Sequence, residues 1–176
     1  SSDDRLEAMV LAGGLGSRLK EAVPGLPKSM ADIRGTPFLQ LLLDELIEKK
    51  FKRVVLAVGY RHKVILKYFG SRYKMLDLVY SIEDRPLGTG GAVQHSFRKC
   101  LQKNIFILNG DTIADFDPLT MLQTARHKKP NVMAARLVND VSRFGKVSHS
   151  DGIVTALAEK SSIGAGLINS GIYLFN

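Results

Sequence analysis

The chain has a single cysteine, Cys100, among 176 residues. No internal disulfide can form, and a four-cysteine zinc site is excluded. A reducing, cytoplasmic location is the expectation. No apolar run is long enough to span a bilayer. The polar start, Ser1-Ser2-Asp3-Asp4-Arg5, lacks the core of a signal peptide. No membrane partner is therefore expected. The net charge is +8, but the basic residues are scattered in twos and threes, as at Lys49-Lys50 and Lys128-Lys129. Without an arginine-rich tail or an RNP-like aromatic string, nucleic acid is not an expected partner either. His62, His95, His127 and His149 show no metal-ligand or triad spacing. No P-loop string occurs, and no internal repeat.

Hydrophobic residues make up 45% of the chain, which places it among globular proteins. Apolar strand-like runs alternate with helical patterns in its first part. Glu7–Ala12, Arg53–Val58, Leu78–Ile82 and Ile105–Leu108 read as strands. Thr36–Lys50, Lys63–Phe69, Gly91–Leu101 and Pro118–His127 read as helices. Strands without polar alternation belong to sheets buried on both faces. Val132–Val138, Gly145–His149, Ile153–Glu159 and Leu167–Phe175 then follow as strands joined by short turns. The expected fold is α/β: a Rossmann-like, doubly wound mixed sheet, largely parallel first and antiparallel after. The final apolar strand is expected to be left as an exposed edge, which invites association, so a homo-oligomer is possible.

Chemistry concentrates where strands end. Leu11-Ala12-Gly13-Gly14-Leu15-Gly16-Ser17-Arg18 closes the first strand with a glycine-rich loop and an arginine. Amides at a strand end and a guanidinium fork suit phosphate. A dinucleotide fingerprint would need a third glycine where Leu19 stands, which counts against an NAD site. Pro27 holds the backbone before Lys28 and limits the freedom of that lysine. Pro86-Leu87-Gly88-Thr89-Gly90-Gly91-Ala92 is a second glycine loop, suited to a flat base and ribose, or else a helix cap at Thr89. Asn109-Gly110-Asp111-Thr112 follows a wholly apolar strand. A carboxylate there faces the ligand crevice and suits Mg²⁺, whose shell is completed by water and phosphate oxygens. Asp115 and Asp117 read as the start of the next helix.

This series resembles the sugar-1-phosphate nucleotidyltransferases. Arg143-Phe144-Gly145, Glu159-Lys160 and Ile168-Asn169-Ser170-Gly171-Ile172-Tyr173 continue the likeness in order, over nearly the whole chain. The Pro-Leu-Gly-Thr-Gly-Gly-Ala loop and the Leu-Ile-Asn-x-Gly-Ile-Tyr-Leu ending are most similar to members that load GMP onto D-glycero-D-manno-heptose 1-phosphate. Mannose-1-phosphate guanylyltransferases, related uridylyltransferases and a non-catalytic sugar-nucleotide-binding module stand as alternatives. The resemblance implies catalysis by Arg18, Lys28 and Asp111. It implies a nucleoside triphosphate held by Leu11, Ala12, Gly13, Gly14, Gly16, Ser17, Arg18, Lys28, Pro86, Gly88, Thr89 and Gly90. The sugar 1-phosphate would meet Asn109, Gly145, Glu159, Lys160, Asn169 and Gly171, and Asp111 would carry Mg²⁺. Two departures stand out. Ser29 replaces the family's usual proline after the lysine. A second metal-binding aspartate, near an Asp-x-Gly-x-Pro string, is not reached by residue 176. The expectation is one domain, 1–176, lacking the family's C-terminal segment.

Overall fold

The computed structural model describes residues 5–13, 25–127, 131–158 and 163–176. Its elements, in chain order, are β1 (Leu6–Leu11), a 3-10 turn (Lys28–Met30), β2 (Asp32–Ile33), β3 (Thr36–Pro37), α1 (Phe38–Glu48), β4 (Phe51–Val58), α2 (His62–Phe69), β5 (Arg72–Tyr73), β6 (Leu76–Ile82), α3 (Gly88–Phe97), β7 (Ile105–Asn109), α4 (Pro118–His127), β8 (Val132–Val138), β9 (Lys146–Ser150), β10 (Ile153–Ala158) and β11 (Gly166–Phe175). The main sheet runs β10-β9-β11-β7-β1-β4-β6-β5, with β8 also paired to β11. Its parallel centre is β7-β1-β4-β6. The antiparallel strands flank it, so the α/β mixed-sheet expectation holds.

The central strands are apolar because helices cover both of their faces. Alternate residues of β1 point opposite ways. Ala8 and Val10 join a core with Leu39, Leu42, Leu43 and Leu46 of α1 and Ile65 of α2. Met9 joins Ile105 and Ile107 on the other face, where Val93 of α3 packs. Phe51, Phe106 and Phe116 form a ring cluster, with centroids 5.3 to 6.1 Å apart.

Several boundaries depart from expectation. The helix read from Thr36 begins at Phe38, because Thr36–Pro37 turns back to pair with Asp32–Ile33. The helix read from Gly91 begins at Gly88 and ends at Phe97. Glycines are poor helix formers, and they conceal a start that tertiary context imposes. The larger correction concerns the last strand. β11 is no exposed edge: its first half pairs with β8 and β9, its second half with β8 and β7. Hydrophobic patterning marks a strand but does not name its neighbours.

At the amino end of the parallel strands lies a buried carboxylate. Glu7, 1% exposed, forms an ion pair with Arg53 of β4. Its other oxygen accepts from the Leu101 and Gln102 N–H groups, at 2.8 and 3.1 Å. Arg53 also donates to the Lys99 carbonyl at 2.7 Å. One side chain thus ties β1, β4 and the α3–β7 connection together. Cys100 sits in this knot, and burial, then the Glu7 charge, push its thiol up to about 12. It is not a reactive thiol at neutral pH.

Glu7→Ala leaves two backbone N–H groups and a guanidinium without the buried carboxylate that accepts from them. We expect it to lower unfolding stability by about 3–5 kcal/mol in urea denaturation. A loss below about 1 kcal/mol would mean that solvent replaces the carboxylate freely.

Candidate active site

Register aligns the carboxyl ends of the parallel strands. Leu11 pairs with Ala57 on one side and Asn109 on the other, and Ala57 pairs with Ser81. The ladder extends by one further bond at each junction: Ala12 N–H to Ala57 O, Gly110 N–H to Leu11 O and Glu83 N–H to Val58 O, all 2.8 Å. The chain leaves each strand just beyond these bonds. Gly13, Gly59, Glu83 and Asp111 therefore open onto one crevice, the usual place for a ligand in an open α/β sheet.

Asp111 stands on a turn closed by Thr112 N–H to Asn109 O, 3.1 Å. Its Oδ2 accepts from Lys28 Nζ at 2.5 Å, joining residues 83 apart in sequence. Lys28 is positioned by its neighbours. Pro27 is extended, with φ −58° and ψ 145°, and the 3-10 turn buries Ser29 and Met30. That leaves the ammonium facing the crevice. The loss of the family's proline at Ser29 does not disturb this turn. The Ser29 hydroxyl is buried and unpaired among the described residues.

On the other side of β1, Gly13 packs so closely on Gly59 and Glu83 that a Cβ would meet three of their neighbouring atoms at 3.2 Å. Glu83 Oε2 accepts from the Leu87 N–H at 3.1 Å and fastens the loop before α3. Pro86, Gly88, Thr89 and Gly90 are exposed beyond it. A Cβ at Gly88 or Gly90 would meet nothing within 4 Å, so this loop borders open space. Thr89 lies inside α3 and is not its cap, which is Leu87 with no side-chain bond. Leu11 and Ala12 offer the crevice only backbone, since Ala12 is buried and Leu11 lies in the ladder.

Strand β11 brings the Asn169–Gly171 motif to the same edge. Lys146 pairs with both Ala158 and Ile168. A Cβ on Gly145 would meet the Ala158 carbonyl at 2.6 Å, so Gly145 lies beside the strand that leads to Glu159. Asn169 Oδ1 accepts from the Gly171 N–H at 2.8 Å, and its Nδ2 donates to the Tyr173 hydroxyl at 2.5 Å. Gly171 has φ +73°, and a Cβ there would lie 2.7 Å from Thr112 Oγ1 and 2.8 Å from Asn109 Nδ2. The Asn-x-Gly turn of β11 is thus packed on the turn that carries Asp111. Gly14, Gly16, Ser17, Arg18, Glu159 and Lys160 lie outside the described residues. Asp117 accepts from Leu119 N–H and Thr120 Oγ1 at the start of α4, and the Thr120 hydroxyl, then the Leu119 N–H, hold its carboxyl below the usual value. It is a helix cap, as its spacing suggested.

Sequence reasoning missed Gly59 and Glu83. A signal was present. Each directly follows an apolar strand, Val58 or Ile82, just as the Asp111 turn follows β7.

The family model described as nucleotidyl transferase matches residues 7–176. The chain belongs to the nucleotidyl transferase family. Among relatives of this transferase, D-glycero-alpha-D-manno-heptose 1-phosphate guanylyltransferase of Aneurinibacillus thermoaerophilus is 41% identical over 174 residues, covering 97% of this chain and 75% of that protein. The enzyme of the same name from Campylobacter jejuni is 39% identical, covering 96% and 75%. HddC from Yersinia pseudotuberculosis, solved in complex with GMP-PN, superposes with a TM-score of 0.87 at 30% identity, over 97% of this chain and 76% of that one.

Members of this family generally use a divalent metal. Among the described residues no group of three or more His, Cys, Asp or Glu side chains could hold one alone. Asp111 is a single, half-exposed carboxylate in an open crevice. That donor set fits Mg²⁺, which keeps water and phosphate oxygens as most of its ligands.

Gly171→Ala forces a Cβ into Thr112 and Asn109 at a left-handed backbone position. We expect a loss of about 1–3 kcal/mol in thermal or urea unfolding. Near-wild-type stability would show that β11 does not brace the Asp111 turn.

Proposed function

We propose that this chain transfers GMP from GTP to D-glycero-D-manno-heptose 1-phosphate, releasing pyrophosphate and forming a nucleotide sugar. The observation that carries this reading is the 41% and 39% identity to two heptose 1-phosphate guanylyltransferases over nearly the whole chain. The geometry supports it: a lysine–carboxylate pair at the end of β7 stands one strand away from Gly13. The product's class would feed polysaccharide synthesis.

The chemistry follows from charge. A phosphate monoester has a second pKa of about 6, so the sugar phosphate is largely a dianion at neutral pH. Its oxygen attacks the α-phosphorus in line; the bond from that phosphorus to the α,β-bridging oxygen breaks, and pyrophosphate leaves with the electron pair. No general base is required. The difficulty is bringing two polyanions together. Lys28 and Arg18 are assigned the reacting phosphates, with amides of the Gly13 loop, and the cations stabilise charge that builds on the leaving group. A divalent ion held by Asp111 supplies further charge neutralisation when bound. The Glu83–Gly88 segment borders the base, and Asn109, Gly145, Glu159, Lys160 and Asn169 the sugar phosphate.

GTP, UTP, CTP and dTTP should be tested against heptose 1-phosphate and mannose 1-phosphate, with products read by mass. GDP-heptose is expected as the main product. Tight GTP binding without any nucleotide sugar would make the chain a binding module and overturn the reading. In the same assay Lys28→Ala and Asp111→Ala should each lose more than about 100-fold in turnover. Near-normal rates in either would remove that residue from the mechanism. Gly90→Ala adds a methyl group to open space within a helix. It should raise unfolding stability by roughly 0.5–1 kcal/mol yet weaken GTP binding; unchanged GTP affinity would place the nucleotide elsewhere.

A further inference from the structure

We infer that Lys28 and Asp111 mask one another, so that a divalent ion and a nucleoside triphosphate are taken up together and neither is held well alone. The inference rests on the nucleotidyl-transfer reading, since it takes a metal-bound triphosphate as the incoming ligand. Its physical basis is the contact itself. Lys28 Nζ lies 2.5 Å from Asp111 Oδ2. The oxygen suited to a divalent ion already accepts from an ammonium, and the ammonium suited to phosphate already donates to a carboxylate.

Consider each ligand alone. A free divalent ion approaches a carboxylate whose charge is neutralised, and the neighbouring ammonium repels it. It must displace Lys28 and leave that charge unmatched. A metal-free triphosphate must draw Lys28 away, and Asp111 is then an unpaired anion facing phosphates. When both arrive together, lysine meets phosphate and carboxylate meets metal. Two favourable pairs replace one, and no charge is stranded. Linkage makes the effect reciprocal: whatever one ligand gains from the other is gained equally in return.

The surroundings permit the exchange. The two side chains are 37% and 48% exposed, so the pair is not locked in the core. Both backbones are anchored, Lys28 by the buried Ser29 and Met30 beside it and Asp111 by the Thr112–Asn109 turn. Side-chain rotation alone can part them. A half-exposed pair of this kind is also weak enough to be broken by a polyanion. Among the described residues no acidic cluster offers the ion another seat.

The test is a Mn²⁺ titration of the whole chain without nucleotide, followed by electron paramagnetic resonance. Lys28→Met should bind free Mn²⁺ about fivefold more tightly than the unaltered protein. Lys28→Arg, which keeps the charge, should bind it as weakly as the unaltered protein. The mirror experiment is calorimetry with GTP in EDTA, where Asp111→Asn should bind metal-free GTP more tightly by a similar factor. Equal or weaker Mn²⁺ binding by Lys28→Met, or no gain in GTP affinity for Asp111→Asn, would overturn the proposal. Neither titration involves a sugar phosphate or turnover. A negative result therefore leaves the reaction standing, and a missing nucleotide sugar with masking intact would overturn the reaction alone.

Discussion

Like charges must meet at one phosphorus atom, and the site is arranged around that repulsion. The ladder bonds from Ala12 to Ala57 and from Gly110 to Leu11 end three strands at one level. Beyond that level the backbone is free to offer N–H groups, and the side chains that follow are a lysine-bound carboxylate on one side and a glutamate-fastened glycine loop on the other. A crevice with a lysine at one end and an open glycine loop at the other matches a nucleotide, whose charge lies at one end and whose base lies at the other.

The rest of the molecule holds that level fixed. At the far end of the same strands Glu7 and Arg53 knot β1 to β4 and to the segment before β7. Burial of that pair costs desolvation, which its ion pair and backbone hydrogen bonds offset, and it joins β1 to β4 at the Glu7–Arg53 register. Between the two ends, apolar side chains on both faces fix the strands laterally. From the side, β11 lays its Asn169–Gly171 turn against the Asp111 turn, which couples the antiparallel portion to the cationic end.

The parallel centre was legible because strands buried on both faces must be apolar throughout. α4 and β8 have the expected bounds, since proline opens one and valines frame the other. What escaped was strand pairing. β3 lies at the head of the segment read as a helix from Thr36, and a tight turn at Gly35, φ +90°, pairs it back with β2, which the sequence reading did not assign. The central place of β11 rests on β7, β8 and β9, none of which a local pattern specifies. In the site, Lys28 and Asp111 were both named from local context. Their direct contact across 83 residues was not visible, nor was the part of Glu83, which acts on the backbone of Leu87.

The most direct test is a crystal structure with a non-hydrolysable GTP analogue and Mn²⁺. The account expects an anomalous peak beside Asp111, Lys28 turned onto phosphate, and guanine against the Glu83–Gly88 segment. A metal seated away from Asp111, or a base lying toward β7 with its phosphates at Gly88, would contradict it.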